Sequence, residues 1–246
     1  MGRAKEIILK VIPSKIANEF IKKYHYSGKV VQNSSLHFGC FLDGKLHGVM
    51  QYGSSMVKKN IIHLVNKTNW NEFIELNRMA FDDYLPKYSE SRCLSISFKL
   101  IKKNAPHIKW IVSFSDGTQC GDGTIYRASG FKLTGIKKNK SNLILPSGEI
   151  INTLNFTDGK STWCKKIRSL GYTSKTKYLN EKQKGWKYLK GYQLRYIYLI
   201  DKSCKLNVPI IPFSKIDELG AGMYKGEKRN IKKCDSSVMA AHLTTS

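Results

Sequence analysis

The chain has 246 residues and carries 42 Lys plus Arg against 18 Asp plus Glu, a formal charge of +24 with histidine neutral. This length suits one large domain or a domain with an elaborate extension, and 41% hydrophobic with 11% aromatic residues excludes a disordered basic tail. A folded protein this basic attracts polyanions, so nucleic acid is the leading partner class and an anionic membrane surface the second.

Glu6 to Val11 reads as a first strand, and Pro13 stands where a helix starts, with Ile16, Phe20 and Ile21 on one face. His37 to Leu42 and Leu46 to Tyr52 are strand-like runs joined by Asp43 and Gly44, a hairpin signal because both turn residues tolerate positive φ. Phe73 to Phe81 reads as a strand. From Ser91 to Asn104 the apolar pattern fits either strand or helix; length and the Ser favour a helix, ended by Pro106. Lys109 to Phe114 is then a buried strand, Gly123 to Ser129 a short helix and Phe131 to Ile136 a strand. The pattern is mixed α/β without an internal repeat.

No apolar run approaches the roughly 20 residues of a membrane span, and the opening MGRAKEIILKVIPSK has no apolar region of the signal-peptide kind. Cys40, Cys93, Cys120, Cys164, Cys204 and Cys234 form no CxxC pair, which speaks against a zinc finger or a disulfide framework and for reduced thiols in a cytoplasmic setting. The charge is uneven. Residues 1–136 hold 20 basic and 10 acidic residues, and residues 137–246 hold 22 and 8. Between Lys160 and Lys190, Lys165, Lys166, Arg168, Lys175 and five further basic residues beyond Lys160 itself are opposed only by Glu181, with Trp163, Tyr172, Tyr178, Trp186 and Tyr188 interleaved. Cations neutralise phosphates and aromatic faces stack on bases, so the segment suits nucleic acid; the alternative is a solvated lysine face whose aromatics reach into a core.

Four short clusters carry chemistry. Tyr24-His25-Tyr26-Ser27-Gly28 ends the first helix and offers a group that titrates near neutrality beside hydroxyls, or merely a helix cap. Ser113-Phe114-Ser115-Asp116-Gly117 ends a buried strand, where ligands gather in α/β sheets and where an Asp also serves turns. Gly121-Asp122-Gly123-Thr124-Ile125-Tyr126 pairs glycines before a helix without the spacing of a P-loop or dinucleotide fingerprint. Glu75-Leu76-Asn77-Arg78 places Glu75, Asn77 and Arg78 at a cleft or on the surface.

Together these clusters resemble the Mom-like proteins of bacteriophages, which look like members of the GNAT acyltransferase superfamily. The resemblance is carried by KYHYSG (Lys23 to Gly28), FGCFLDGKLHGVMQYG (Phe38 to Gly53), ELNRMAF (Glu75 to Phe81) and SFSDGTQCGDGTIYRASGF (Ser113 to Phe131), with a fainter echo at GYQLRYIYLI (Gly191 to Ile200). It implies a mixed, mostly antiparallel sheet flanked by helices: a catalytic core at 1–136, a basic aromatic insertion with a final core strand at 137–200, and a basic tail at 201–246. It implies addition of a carbamoylmethyl group to N6 of adenine in viral double-stranded DNA, masking it from host restriction in the cytoplasm of the infected bacterium. Because that amine is hidden in the stack, the adenine is expected to flip out.

His25, Tyr26, Ser27, Asp116 and Tyr126 are the expected catalytic residues, with His25 and Asp116 facing each other across the cleft as an acid/base or iron-binding pair. Ser89, Glu90, Ser91 and Arg92 are placed where the superfamily receives acyl coenzyme A, although no glycine-rich pyrophosphate loop is present. Glu75, Asn77, Arg78, Lys165, Lys166, Arg168, Lys175, Trp186 and Arg195 are the expected DNA contacts. Two other classes stay open: an acyl-CoA-dependent transferase acting on a small molecule, RNA or protein, and a non-catalytic DNA-binding protein. Pro209 and Pro212 punctuate an extended stretch, and the basic run Gly226 to Lys233 is expected to touch the phosphate backbone. The oligomeric state is open, a homodimer included.

Overall fold

The computed structural model describes residues 2–117, 121–224 and 227–228. Seven strands form the main sheet: β1 (Ile8–Val11), β2 (Ser34–Leu42), β3 (Lys45–Gly53), β4 (Phe73–Phe81), β5 (Trp110–Asp116), β6 (Lys132–Lys138) and, after an insertion, β10 (Tyr192–Leu199). Their spatial order is β1-β2-β3-β4-β5-β10-β6, and every neighbour pair is antiparallel except β4 with β5. This is the mixed, mostly antiparallel sheet that the sequence implies. The strand at Gly191 to Ile200 is a central member, wedged between β5 and β6, which its faint sequence echo does not disclose.

Helices cover both faces. The long α3 (Ser89–Asn104) packs on one, burying Cys93, Leu94, Ser97, Phe98 and Ile101, a 3.6-residue spacing that settles the strand-or-helix ambiguity for helix. It is joined there by α4 (Thr124–Ala128). On the other face lie α1 (Ser14–Tyr24) and the single turn α2 (Lys58–Ile61). The buried stripe of α1 is Ala17, Phe20 and Ile21; Ile16 is 45% exposed, one position off the expected face. The β2–β3 turn has Asp43 at φ 51° and Gly44 at φ 75°, both left-handed as its two-residue length demands.

The insertion is a folded unit. Strands β7 (Asn142–Ile144), β8 (Ile150–Asn152) and β9 (Lys187–Tyr188) make a second sheet with α5 (Thr162–Ser169) and α6 (Lys175–Lys182). Its core comprises Leu143, Leu145, Ile151, Phe156, Ile167, Tyr178 and Leu179, with Trp163, Tyr172 and Trp186 packed against it. Most of the interleaved aromatics therefore build this core, and Tyr188 at 41% exposure is the one left substantially open to solvent. The lysines stay outside: Lys165, Lys166 and Arg168 are exposed and Lys175 is half-buried. A short helix α7 (Ser214–Glu218) and the hairpin β11 (Met223–Tyr224) with β12 (Glu227–Lys228) follow. Apart from Glu227 and Lys228, the basic run Gly226 to Lys233 and the end to Ser246 lie outside the described residues, as do Cys120 and Cys234. Among the described residues no helix is long and apolar enough to cross a membrane.

Candidate active site

The sheet splits where its one parallel pair ends. Strands β4 and β5 pair only from Phe73 with Trp110 to Glu75 with Val112. Beyond that point β4 continues against β3 and β5 against β10, so the two diverge and open a cleft. A register shift at Gln51/Tyr52 in the partner strand makes Asn77 the extra residue of β4, and bulges of this kind re-aim side chains. The cleft holds a cavity of about 400 Å3 lined by residues of four elements: His25 and Tyr26 after α1, Leu76 to Met79 of β4, Phe114 and Ser115 of β5, and Gly121 to Tyr126.

His25 caps α1 with extended backbone, its N–H donating to the Ile21 carbonyl. The Ser27 backbone N–H donates to His25 Nδ1 at 3.2 Å, and Ser27 Oγ lies 2.8 Å from the same nitrogen. An N–H donor requires Nδ1 to be an acceptor, so this network assigns the ring proton of the neutral form to Nε2. Burial, aided by the charge of Arg78, lowers the His25 pKa to about 4, leaving it neutral at pH 7. Tyr26, 51% exposed, lies against it at 4.3 Å between centroids, the rings tilted by 33°. Across the cavity Arg78 donates Nε to the Lys29 carbonyl and Nη1 to the Asn77 carbonyl, which fixes the guanidinium. Asn77 Oδ1 accepts from Ser34 Oγ.

The remaining wall is set by glycine. Gly123 has φ 74°, and a Cβ there would come within 2.7 Å of the Tyr196 ring, whose hydroxyl donates to the Asp122 carbonyl. Asp122 Oδ1 accepts from the Thr124 amide and hydroxyl, starting α4. Tyr126, in ring contact with Phe131 and Tyr196, closes the floor. Gly123→Ala combines left-handed strain of about 1–2 kcal/mol with this clash, so a total near 2–4 kcal/mol is expected. Differential scanning calorimetry should show a melting temperature lower by about 10 °C, at roughly 2–4 °C per kcal/mol for a chain this long.

The expected catalytic residues fall into two groups. His25, Tyr26 and Tyr126 line the cavity with Asn77 and Arg78, and Ser27 positions the His25 ring from behind. Asp116, at the end of β5 opposite Gln193, is not among the lining residues; the carboxylate that is there is Asp122. Glu75 also stays out of the lining, half-buried beside Ser55 and Asn77, and its burial raises its pKa. The sequence marks the Asp122 cluster but does not rank its carboxylate above Asp116; the glycines on either side, Gly121 and Gly123, both at positive φ, are the signal available there.

A second cavity, of about 510 Å3, lies at the start of α3 and takes in Lys5, Lys87, Tyr88, Ser91, Arg92 and Lys99. Of the four expected coenzyme-binding residues, Ser91 and Arg92 line this cavity. Ser89 is buried with its hydroxyl turned to the Pro86 carbonyl, and Glu90 is not in the lining. Among the described residues the buried Arg92 Nε has no hydrogen-bond partner, so the donor set fits an anionic group such as a pyrophosphate. Iron fares differently. Among the described residues no three His, Cys, Asp or Glu are grouped to hold a metal, and His25 Nδ1 is already engaged. His37 and His47 are buried in the β2–β3 hairpin, His37 beside Gln51 and His47 on Asp82. This donor set does not fit an iron centre.

A family model described as the Mom protein family matches residues 6–215. The methylcarbamoylase Mom of Escherichia phage Mu is 37% identical over 133 residues, so the match spans 54% of this chain and about half, 55%, of that relative. Solved structures that overlay include the ribosomal-protein-S18-alanine N-acetyltransferase of Escherichia coli (9% identity, TM-score 0.43, 79% of this chain and 94% of that one). Another is a Bacillus subtilis acetyltransferase in complex with CoA (11%, TM-score 0.42, 78% and 97%).

Proposed function

The chain belongs to the Mom protein family, and from that premise we propose that it is a DNA-modifying transferase that places a carbamoylmethyl group on N6 of adenine, shielding phage DNA from restriction in the host cytoplasm. One observation carries this reading. The basic insertion leaves β6 at Lys138 and returns at Tyr192, next to the Gln193–Asp116 pair, so it is rooted at the end of β5 beside the candidate cavity. A small-molecule transferase has no use for that arrangement, and a pure DNA binder has none for the cavity.

Adenine N6 is a weak nucleophile because its lone pair is delocalised into the ring. The site must orient it, hold the electrophile in line and exclude water. A flipped adenine entering the cleft meets exposed Tyr26 at the mouth as a stacking face and Tyr126 at the floor. Neutral His25 offers an Nε2–H donor to a ring nitrogen or to the carbamoyl oxygen, while Arg78 supplies positive charge where negative charge builds up. As the N6–carbon bond forms, the donor's leaving group departs with the electrons of its broken bond. The N6 proton passes to a carboxylate, for which Asp122 is the lining candidate and Asp116 the neighbouring one. The pyrophosphate of an acyl-CoA would be held by Lys87, Ser91, Arg92 and Lys99; because a thioester activates its carbonyl carbon, the methylene joined to N6 would come from a donor that carries its own leaving group on that carbon.

Nucleoside mass spectrometry of plasmid DNA from expressing cells tests the reading. Wild type should yield a carbamoylmethyl-deoxyadenosine signal, and comparing Asp122→Asn with Asp116→Asn should assign the base, the true one losing about 100-fold or more. Unmodified adenine in DNA from wild-type cells overturns the proposal.

A further inference from the structure

Beside the candidate cavity lies a smaller one of about 180 Å3, on the α1/α2 face of the sheet; Phe114 lines both. Its chemistry is that of an anion site built into the sheet. Arg195 on β10 reaches it, half-buried, donating Nε to Thr134 Oγ1 at 3.1 Å and Nη2 to the Thr134 carbonyl at 2.7 Å. A register shift between Arg195 and Tyr196 makes Thr134 the extra residue opposite them, which aims both oxygens at the guanidinium. Gly135 leaves room for the fork, whose atoms stand 3.4 Å from where a Cβ would be.

A buried structural arginine normally meets a carboxylate. Among the described residues none pairs with Arg195, and only two of its five N–H donors are used. Lys137 adds a second, exposed cation, and Gln193 and Asn60 add amide donors; among the described residues no acidic side chain lines the cavity. A pre-set guanidinium fork with a free edge, a lysine and amides in a small cavity match the geometry of a phosphate. Cross-strand neighbours Lys137 and Gln193 also stand beside the root of the basic insertion.

We propose that this cavity seats a backbone phosphate of the DNA strand whose adenine occupies the neighbouring cleft, with Arg195 as the anchoring fork and Lys137 as its partner. The proposal rests on the DNA reading above. It gives the flipped strand a fixed point next to the target, so that the base enters the cleft in one register.

The test measures affinity of the full chain for an adenine-containing duplex of about three helical turns across a salt series. Compared are wild type, Lys137→Gln, Arg195→Gln, the double variant and, as a control, Lys102→Gln at the far end of α3. Each removed phosphate contact should lower the magnitude of the log Kd against log salt slope by about 1, so the double variant loses about 2 and Lys102→Gln loses none. A residue holding only the fold would lower the melting temperature and leave the slope of the folded fraction unchanged; Lys137, being exposed, can be altered without that complication. Unchanged slopes in Lys137→Gln and the double variant overturn the phosphate site while leaving the DNA reading intact. No duplex binding by wild type overturns that reading and the site with it.

Discussion

His25→Ala should lower the yield of modified adenine by about 100- to 1,000-fold while the protein at pH 7 melts within a few degrees of wild type. The size of the effect follows from the proposed role: a fixed donor aimed at developing charge in a cleft that substrate closes to water would be worth more than any surface contact. His25→Gln keeps an N–H donor and is expected to recover about tenfold over alanine. A histidine acting as the proton acceptor through Nε2 would show no such rescue, so the pair of variants separates the two roles. The pH profile separates them again. With its pKa pushed down to about 4, His25 stays neutral through the physiological range, and modification should show no inflection near 6.5. Stability carries the same signature. In the unfolded chain the imidazole takes up a proton as pH falls through 6.5, whereas in the folded chain it does so only near 4. Protons therefore favour unfolding across that window, by roughly 3 kcal/mol at most, and alanine should remove that part of the acid sensitivity.

The elements most legible in the sequence are those whose own residues decide them. Asp43-Gly44 specify a hairpin locally, Phe73 to Phe81 matches its strand at both ends, and the helix from Ser89 starts two residues ahead of the expected position. What local pattern cannot show is which strands are neighbours. β10 lies between β5 and β6 although about fifty residues intervene, and the cleft exists because β4 and β5 part after Glu75, a property of pairing and not of composition. The candidate site inherits the same division. His25, Tyr26, Arg78 and Tyr126 stand out as unusual polar residues near element ends, and they converge. The choice between Asp116 and Asp122 depends on how the Gly121 to Gly123 turn folds back under Tyr196, a long-range contact that spacing alone does not encode. The aromatics between Lys160 and Lys190 follow the second of the two readings open to them: a segment rich in lysine still needs a core, and Tyr178, with Trp163, Tyr172 and Trp186 packed against it, supplies one.

Because that segment has its own core, it can be removed. Every residue of the insertion's core lies between Leu143 and Trp186, and the cores beneath α1, α2 and α3 draw on none of them. The roots are in contact, with the Asn139 amide donating to the Gly191 carbonyl at 2.8 Å just beyond the Lys138–Tyr192 pair. Deleting residues 140–190 joins Asn139 directly to Gly191, and Asn-Gly is the favoured two-residue turn between antiparallel strands. The shortened chain should fold and melt cooperatively with β6 and β10 as a plain hairpin. It loses 11 basic and 3 acidic residues, a third of the net +24. Each cation that meets a phosphate contributes about one unit of salt slope, so loss of even three such contacts should weaken duplex binding by 100-fold or more at moderate salt. Adenine modification in cells should fall with it, although the cleft, His25 and Arg78 are untouched. A folded deletion variant that still binds duplex with the wild-type salt slope would place the DNA track on the core sheet alone. Loss of binding with an intact core instead separates the two tasks physically, chemistry in the split of the sheet and capture of the polyanion in the insertion beside it.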